Sequence, residues 1–403
     1  MTLFTKTPVK YSPAPALGCI FAGALILAFP WGATNAEASI ILLALTLLCI
    51  LLYIRQSFNA IVGWLILLVV VVNGTAFFLD RDYSIWQFTR SGIPFVSAIA
   101  AILAGIQIGR ASKNEQLNFV FKSLAVAASL NVLGYFFGAF LPNALITVEG
   151  RIFAAPCLVF LPILYYFMLR QQWFFALVCF CILAATGSKA ILLSSTIVLV
   201  LGWRRAYRLS FLSIAVFMLI ICVIFLAFGI YDDRFEVLLT TGDVARVRQI
   251  EEAWRAITNG TFGTLFGHSF GSATLMGYSE FGEAGEENER LFENYRYDLD
   301  NGFFLVLLKI GFVGTALLAL LYWRIPLERD GRILVLVIVL TNLISSGSII
   351  MSADGAFCHL VLGIVAAKFG GNGISRRVTL PAAAVNISRL DTGIHNKLKI
   401  RPT

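Results

Sequence analysis

Apolar runs of transmembrane length recur along this chain from Leu17 to Ala367, and they limit what it can fold into more than any other feature. A hydrocarbon core about 30 Å thick is crossed by about 20 apolar residues of helix, and lipid offers no partner to an unpaired N–H or C=O. The runs are therefore read as helices, at approximately 14–33, 38–54, 60–79, 91–109, 117–141, 152–169, 172–187, 188–203, 209–231, 302–323, 332–351 and 355–368. Twelve such helices predict an all-α polytopic membrane protein with one large loop between the ninth and tenth. The break inside 172–203 rests on Thr186, Gly187, Ser188 and Lys189 alone, and a single kinked span there would invert every later orientation. Composition agrees with the membrane reading. Of 403 residues 59% are hydrophobic and 13% charged, where a soluble domain carries roughly 25% charged residues, and this excludes a cytosolic globular enzyme.

The seven cysteines all lie in apolar segments without metal-ligand spacing, and are read as small core residues. The first run, Leu17 to Trp31, lacks a small-residue cleavage site and is read as an uncleaved helix. A net charge of +8 raises the question of nucleic acid, but the charge is distributed around the spans, so no nucleic-acid partner is expected. With the N-terminus inside, one side collects Lys6, Lys10, Arg55, Arg110, Lys113, Arg170, Arg204, Arg205, Arg208, Arg324, Arg329, Arg332 and the tail from Lys368 to Arg401. Short loops of the other side hold little more than Arg81, Arg90 and Arg151. Positively charged loops stay cytoplasmic, so both termini are expected there. The expected division is 1–231 (helices one to nine), 232–301 (an external loop), 302–368 (helices ten to twelve) and 369–403 (a basic cytoplasmic tail).

The external loop concentrates polar chemistry, with fourteen of the 23 acidic residues against six arginines. Val247, Ile250, Trp254 and Ile257 recur at helical spacing and predict an amphipathic helix over 244–257 lying on the membrane surface. Gly263 to Gly285 is glycine-rich and expected to be irregular. Tyr278, Phe281, Phe292, Tyr295 and Tyr297 stand among carboxylates, a mixture suited to stacking on sugars and equally to an interfacial aromatic belt. Glu280, Glu283, Glu286, Glu287 and Glu289 lack the spacing of a calcium or zinc motif, so no metal and no other cofactor are expected.

The loop reads ARVRQIEEAWRAITNGTFGTLFGHSFGSA from Ala245 to Ala273 and closes on LDNGFFLVLLKIGFVG from Leu299 to Gly314. An arginine-led helix, a glycine turn over Phe266–Gly271, then Asp300 and Asn301 before a helix with Gly311 and Gly314, resembles the O-antigen ligase and polysaccharide polymerase superfamily of bacterial plasma membranes. Weaker matches are GRIFAAPCLVFLPIL from Gly150 and TGSKAILLS from Thr186, where Lys189 stands for the family's usual arginine. The clearest likeness covers residues 232–323.

The resemblance implies transfer of a glycan from a polyprenyl diphosphate to an acceptor hydroxyl, beside the lipid bilayer of the inner membrane. A diphosphate leaving group needs permanent, fork-shaped cations, which makes Arg246 and Arg248 the expected catalytic arginines, with Arg151, Lys189 and Arg90 as further donor-binding cations. Each is equally readable as an ordinary ion-pair partner, Glu251 and Glu252 being close in sequence. The ligase branch has a histidine before the Asn; here Asp300 stands in its place, which favours polymerase and gives base catalysis to a carboxylate. Asp300 is also readable as a helix N-cap. His268 is a second candidate base and more often such a residue is structural, while Asn301, Glu293 and Tyr295 are expected to touch substrate. The expected function is an inverting, metal-independent polymerase of lipid-linked repeat units, with a chain-length regulator as a possible partner. The alternative is a ligase or protein O-oligosaccharyltransferase with the same donor. A twelve-helix transporter is a distant third, since Lys122 and Lys309 are the only bases well inside spans and no carboxylate matches them.

Overall fold

The computed structural model describes residues 12–28, 35–57, 60–136, 157–185, 189–207, 244–280, 290–296, 302–325, 329–344 and 349–369. The helices are α1 (Ala14–Ala28), α2 (Asn35–Ser57), α3 (Ala60–Leu79), α4 (Ile85–Gln87), α5 (Ile93–Ala111), α6 (Asn114–Phe136), α7 (Phe160–Leu169), α8 (Trp173–Ala185) and α9 (Lys189–Tyr207). They continue with α10 (Val244–Thr258), α11 (Thr261–Phe266), α12 (Gly302–Arg324), α13 (Arg329–Ile344) and α14 (Ala353–Phe369). Every apolar run read from the sequence has a helix except 209–231, which lies outside the described residues, as do the tail from 370 onward and residues 232–243. Four helices are long and apolar enough to cross a membrane: Ala60–Leu79, the continuous stretch Ile85–Ala111, Asn114–Leu133 and Gly302–Arg324. Shorter apolar stretches, of 10–17 residues, lie within α1, α2, α7, α8, α9 and α13.

The uncertain break in 172–203 separates two helices. Trp173 opens α8 and Trp203 lies near the end of α9, yet their rings meet edge to face at 6.5 Å, so the two helices run antiparallel. Among the described residues the one departure from an all-helical chain is a hairpin of β1 (Thr274–Glu280) and β2 (Arg290–Arg296), antiparallel with Thr274 opposite Arg296 and Glu280 opposite Arg290. This corrects the expectation of an irregular segment across Gly263–Gly285. Gly267 and Gly271 belong to the turn before β1, and TLMGYSE and RLFENYR supply Thr, Tyr and Phe, residues that favour a pleated strand.

The stretch Ile85–Ala111 is central, with 89% of its apolar window buried, whereas only 33% of the α3 window is buried. α3 instead exposes Trp64, Leu67, Val70, Val71 and Phe78, the face a lipid-contacting helix presents. The closest packing joins α5 to α14. A Cβ on Gly105 would overlap the Leu360 carbonyl oxygen, and one on Gly363 would overlap that of Ile102, so the two backbones touch. Lipid gives helices no hydrophobic reason to associate, and such small-residue contacts supply dispersion in its place. Two different sets of groups meet at the ends of α5. Beyond its last turn Lys368 Nζ donates to the Ser112 carbonyl, and the Tyr166 hydroxyl donates to Asn114 O at 3.2 Å with Arg170 over the Tyr166 ring, which gathers Lys113, Arg170 and Lys368 at one end. At its first turn lies the glycine turn of the long loop.

Candidate functional site

The turn Gly267–Ser272 is seated against α3, the α3–α4 connection and α12 by a chain of polar contacts. Asn73, buried in α3, accepts from Ser269 Oγ at 2.7 Å and from the Phe270 N–H at 2.8 Å, while its own amide nitrogen donates to Val69 O. Ser269 Oγ accepts in turn from the Gly271 N–H at 3.0 Å. Lys309, buried in α12, donates from Nζ to the carbonyls of Ser269 and Ser272, both at 3.1 Å. The His268 N–H donates to Leu308 O at 2.7 Å, and the Ser84 N–H to Gly271 O at 2.9 Å. A buried backbone group without a partner costs free energy comparable to a lost hydrogen bond; here the partners outside the turn come from α3, the α3–α4 connection and α12 and tie the turn to all three.

This seating needs glycine at two places. Gly267 (φ 83°) and Gly311 (φ 63°) both adopt left-handed backbone, and each stands where a Cβ would strike the backbone of the other. Gly311 interrupts α12 in mid-course, and the opened turn of helix admits the loop. Phe270 anchors the other side, its ring 5.4 Å from that of Phe95 on α5.

His268 is placed by α10 as well as by its own turn. Nε2 lies 3.2 Å from Ala256 O. A carbonyl only accepts, so Nε2 carries the proton and Nδ1 keeps the lone pair. Burial holds the imidazole below its ordinary pKa, the Ala256 hydrogen bond opposes that, and the Lys309 charge adds to the lowering. His268 bridges α10 to the turn, with one ring nitrogen able to accept.

The two arginines fall on opposite sides of α10. At 100° per residue, position 246 shares a face with Ala253 and Ile257, both buried, whereas position 248 lies about 200° away from it. The face of Arg248 continues through Glu252 and Arg255, which form an exposed ion pair at 2.7 Å. The amphipathic helix expected here does form, with its buried stripe centred on Ala253 and Ile257 and with Trp254 at the edge, its ring perpendicular to that of Phe312 on α12.

Arg90 is exposed within a π-helical segment, Phe88–Gly92, that joins α4 to α5 and brings Gly92 against Phe270 of the turn. Lys189 opens α9, which packs against α7, α8 and α13, with a Thr341–Ser194 hydroxyl pair at 2.6 Å binding α9 to α13. Glu293 and Tyr295 sit on β2 opposite Gly277 and Leu275, two residues apart and so on one face of the hairpin. Arg151, Asp300 and Asn301 lie outside the described residues; α12 starts at Gly302. His359 is fully buried, donating from Nδ1 to Gly355 O and accepting the Tyr322 hydroxyl at 2.8 Å. Sequence reasoning missed Asn73, Ser269 and the use of Lys309. An amide and an ammonium inside apolar helices are costly unless paired, and that cost was the signal that they answer a polar segment from elsewhere in the chain. No protein-family description, curated protein or solved structure matches this chain.

Proposed function

We propose that the chain is a membrane glycosyltransferase that polymerises polyprenyl-diphosphate-linked oligosaccharide repeat units at the external face of a bacterial plasma membrane. The observation that carries the reading is the juxtaposition of a polar glycine turn, a buried ammonium and an arginine-led helix beside apolar spans. A lipid-linked diphosphate reaches such a place from the bilayer, and cations there favour its departure. Arg246, at a position that shares a face with Ala253 and Ile257, is the first candidate for the leaving diphosphate. Arg248 takes the lesser part. Asp300 accepts the proton of the attacking hydroxyl, with His268 Nδ1 as the second candidate, and Arg90, Lys189, Arg151, Asn301, Glu293 and Tyr295 complete the donor and acceptor sites. A ligase or protein O-oligosaccharyltransferase uses the same donor and the same cations. The surface glycan of a strain lacking this chain separates them. One repeat unit on the acceptor marks a polymerase, and lipid-linked polymer left untransferred marks a ligase. Unchanged glycan removes both.

A further inference from the structure

The glycine turn meets two spans well inside their ends. On α12 its contacts are Leu308, Lys309 and Gly311. At about 1.5 Å per residue Gly311 is about 14 Å along the helix from Gly302, near the middle of a hydrocarbon core about 30 Å thick. On α3, a helix of hydropathy 2.4, the contact is Asn73, about 9 Å from the end at Leu79 by the same rise. With Gly302 and Leu79 both at external ends, as the alternation of basic loops has it, the two distances place the turn on the external side of the mid-plane.

The sequence is cut to suit that position. No Asp, Glu, Lys or Arg occurs between Arg255 and Glu280, although the loop around this stretch is the most charged part of the chain. Arg255 itself turns back along α10 to Glu252 and carries its charge away from the turn. The backbone polar groups named above find protein partners, the condition under which non-helical chain is stable at membrane depth. The outer side is apolar. Phe262 is 59% exposed and Leu265 41% on α11, and they continue the surface made by Phe312 (43%) and Val313 (37%) immediately after the break in α12. Phe312 and Val313 lie near the middle of α12, a helix long and apolar enough to cross a membrane, and α11 continues their exposed face.

We propose that residues 257–273, α11 and the glycine turn, form a re-entrant segment sunk into the bilayer, with Phe262 and Leu265 against lipid acyl chains. This concerns depth alone and is independent of which reaction the protein performs. The test uses the full-length protein in phosphatidylethanolamine–phosphatidylglycerol vesicles, spin-labelled at Phe262→Cys, Leu265→Cys or Thr261→Cys, with the wild-type signal subtracted to remove the native cysteines. Relaxation by oxygen, which partitions into lipid, is compared with relaxation by a water-soluble nickel chelate. Val313→Cys is the lipid reference and Glu251→Cys the water reference. The expected result is an oxygen-over-nickel ratio at 262 and 265 like that at 313 and well above that at 251. Strong nickel contact like that at 251 would place the segment in water and overturn the proposal. Weak contact with both reagents would show protein covering the face and would overturn it equally. Three exposed positions are used so that the loss of one variant to misfolding leaves the other two to decide.

Discussion

Arg246 and Arg248 are two residues apart, and on a helix that spacing gives them different surroundings. Position 246 continues the stripe that ends in Ala253 and Ile257; position 248 continues the side of the Glu252–Arg255 pair. Arg246→Ala is expected to lower glycan transfer by a factor corresponding to about 2–4 kcal/mol, the range for losing one preorganised donor to a developing charge. Lysine should restore it only in part, since it lacks the two-pronged fork. Arg248→Ala should cost less, because position 248 shares its face with the exposed Glu252–Arg255 pair, where solvent screens charge. Polymer length and rate at equal membrane protein level measure both, and equal losses would show that the helix face does not matter. Asp300 calls for a different substitution. Asparagine caps a helix nearly as well as aspartate but takes no proton at neutral pH. Asp300→Asn should keep the protein level and lose transfer by at least about tenfold if the carboxylate is the base. Near-normal turnover on a lipid-linked donor would leave Asp300 a cap and move the search to His268 and Glu293.

At the scale of elements, the spans were legible because each solves the same problem alone, satisfying its backbone internally over a run of apolar residues. The seating of the turn was not, because it depends on pairs far apart in sequence, Asn73 with Ser269 and Lys309 with Ser272. A period of 3.6 locates α10 and even its buried side, but it cannot say that Gly311 opens α12 to receive Gly267. The hairpin was hidden for a related reason: strand pairing is non-local, and two seven-residue segments carry little signal by themselves. The pairing at Asn73 makes its own prediction. Asn73→Leu keeps the volume and removes the acceptor, leaving Ser269 Oγ and the Phe270 N–H buried without it. Thermal unfolding in detergent should report a loss of about 1–3 kcal/mol. An unchanged midpoint would mean that the turn is held without Asn73.

For the whole molecule, α5 has the turn and the α3–α4 connection at its start and the Ser112–Lys368 contact beyond its end. The alternation of basic and non-basic loops makes the prediction at this scale. A reporter fused after Gly285 should be active in the external compartment, and one fused after Arg205 in the cytoplasm; the reverse pattern, or activity on one side for both, would contradict the arrangement. The most direct measurement of the central claim is single: purified protein in lipid nanodiscs is given a polyprenyl-diphosphate-linked repeat unit and no other acceptor. The account predicts a ladder of lipid-linked products growing by one repeat unit per step, with one free polyprenyl diphosphate released for each bond made. A donor that remains unextended and undiminished, under conditions where the protein is folded, would contradict it.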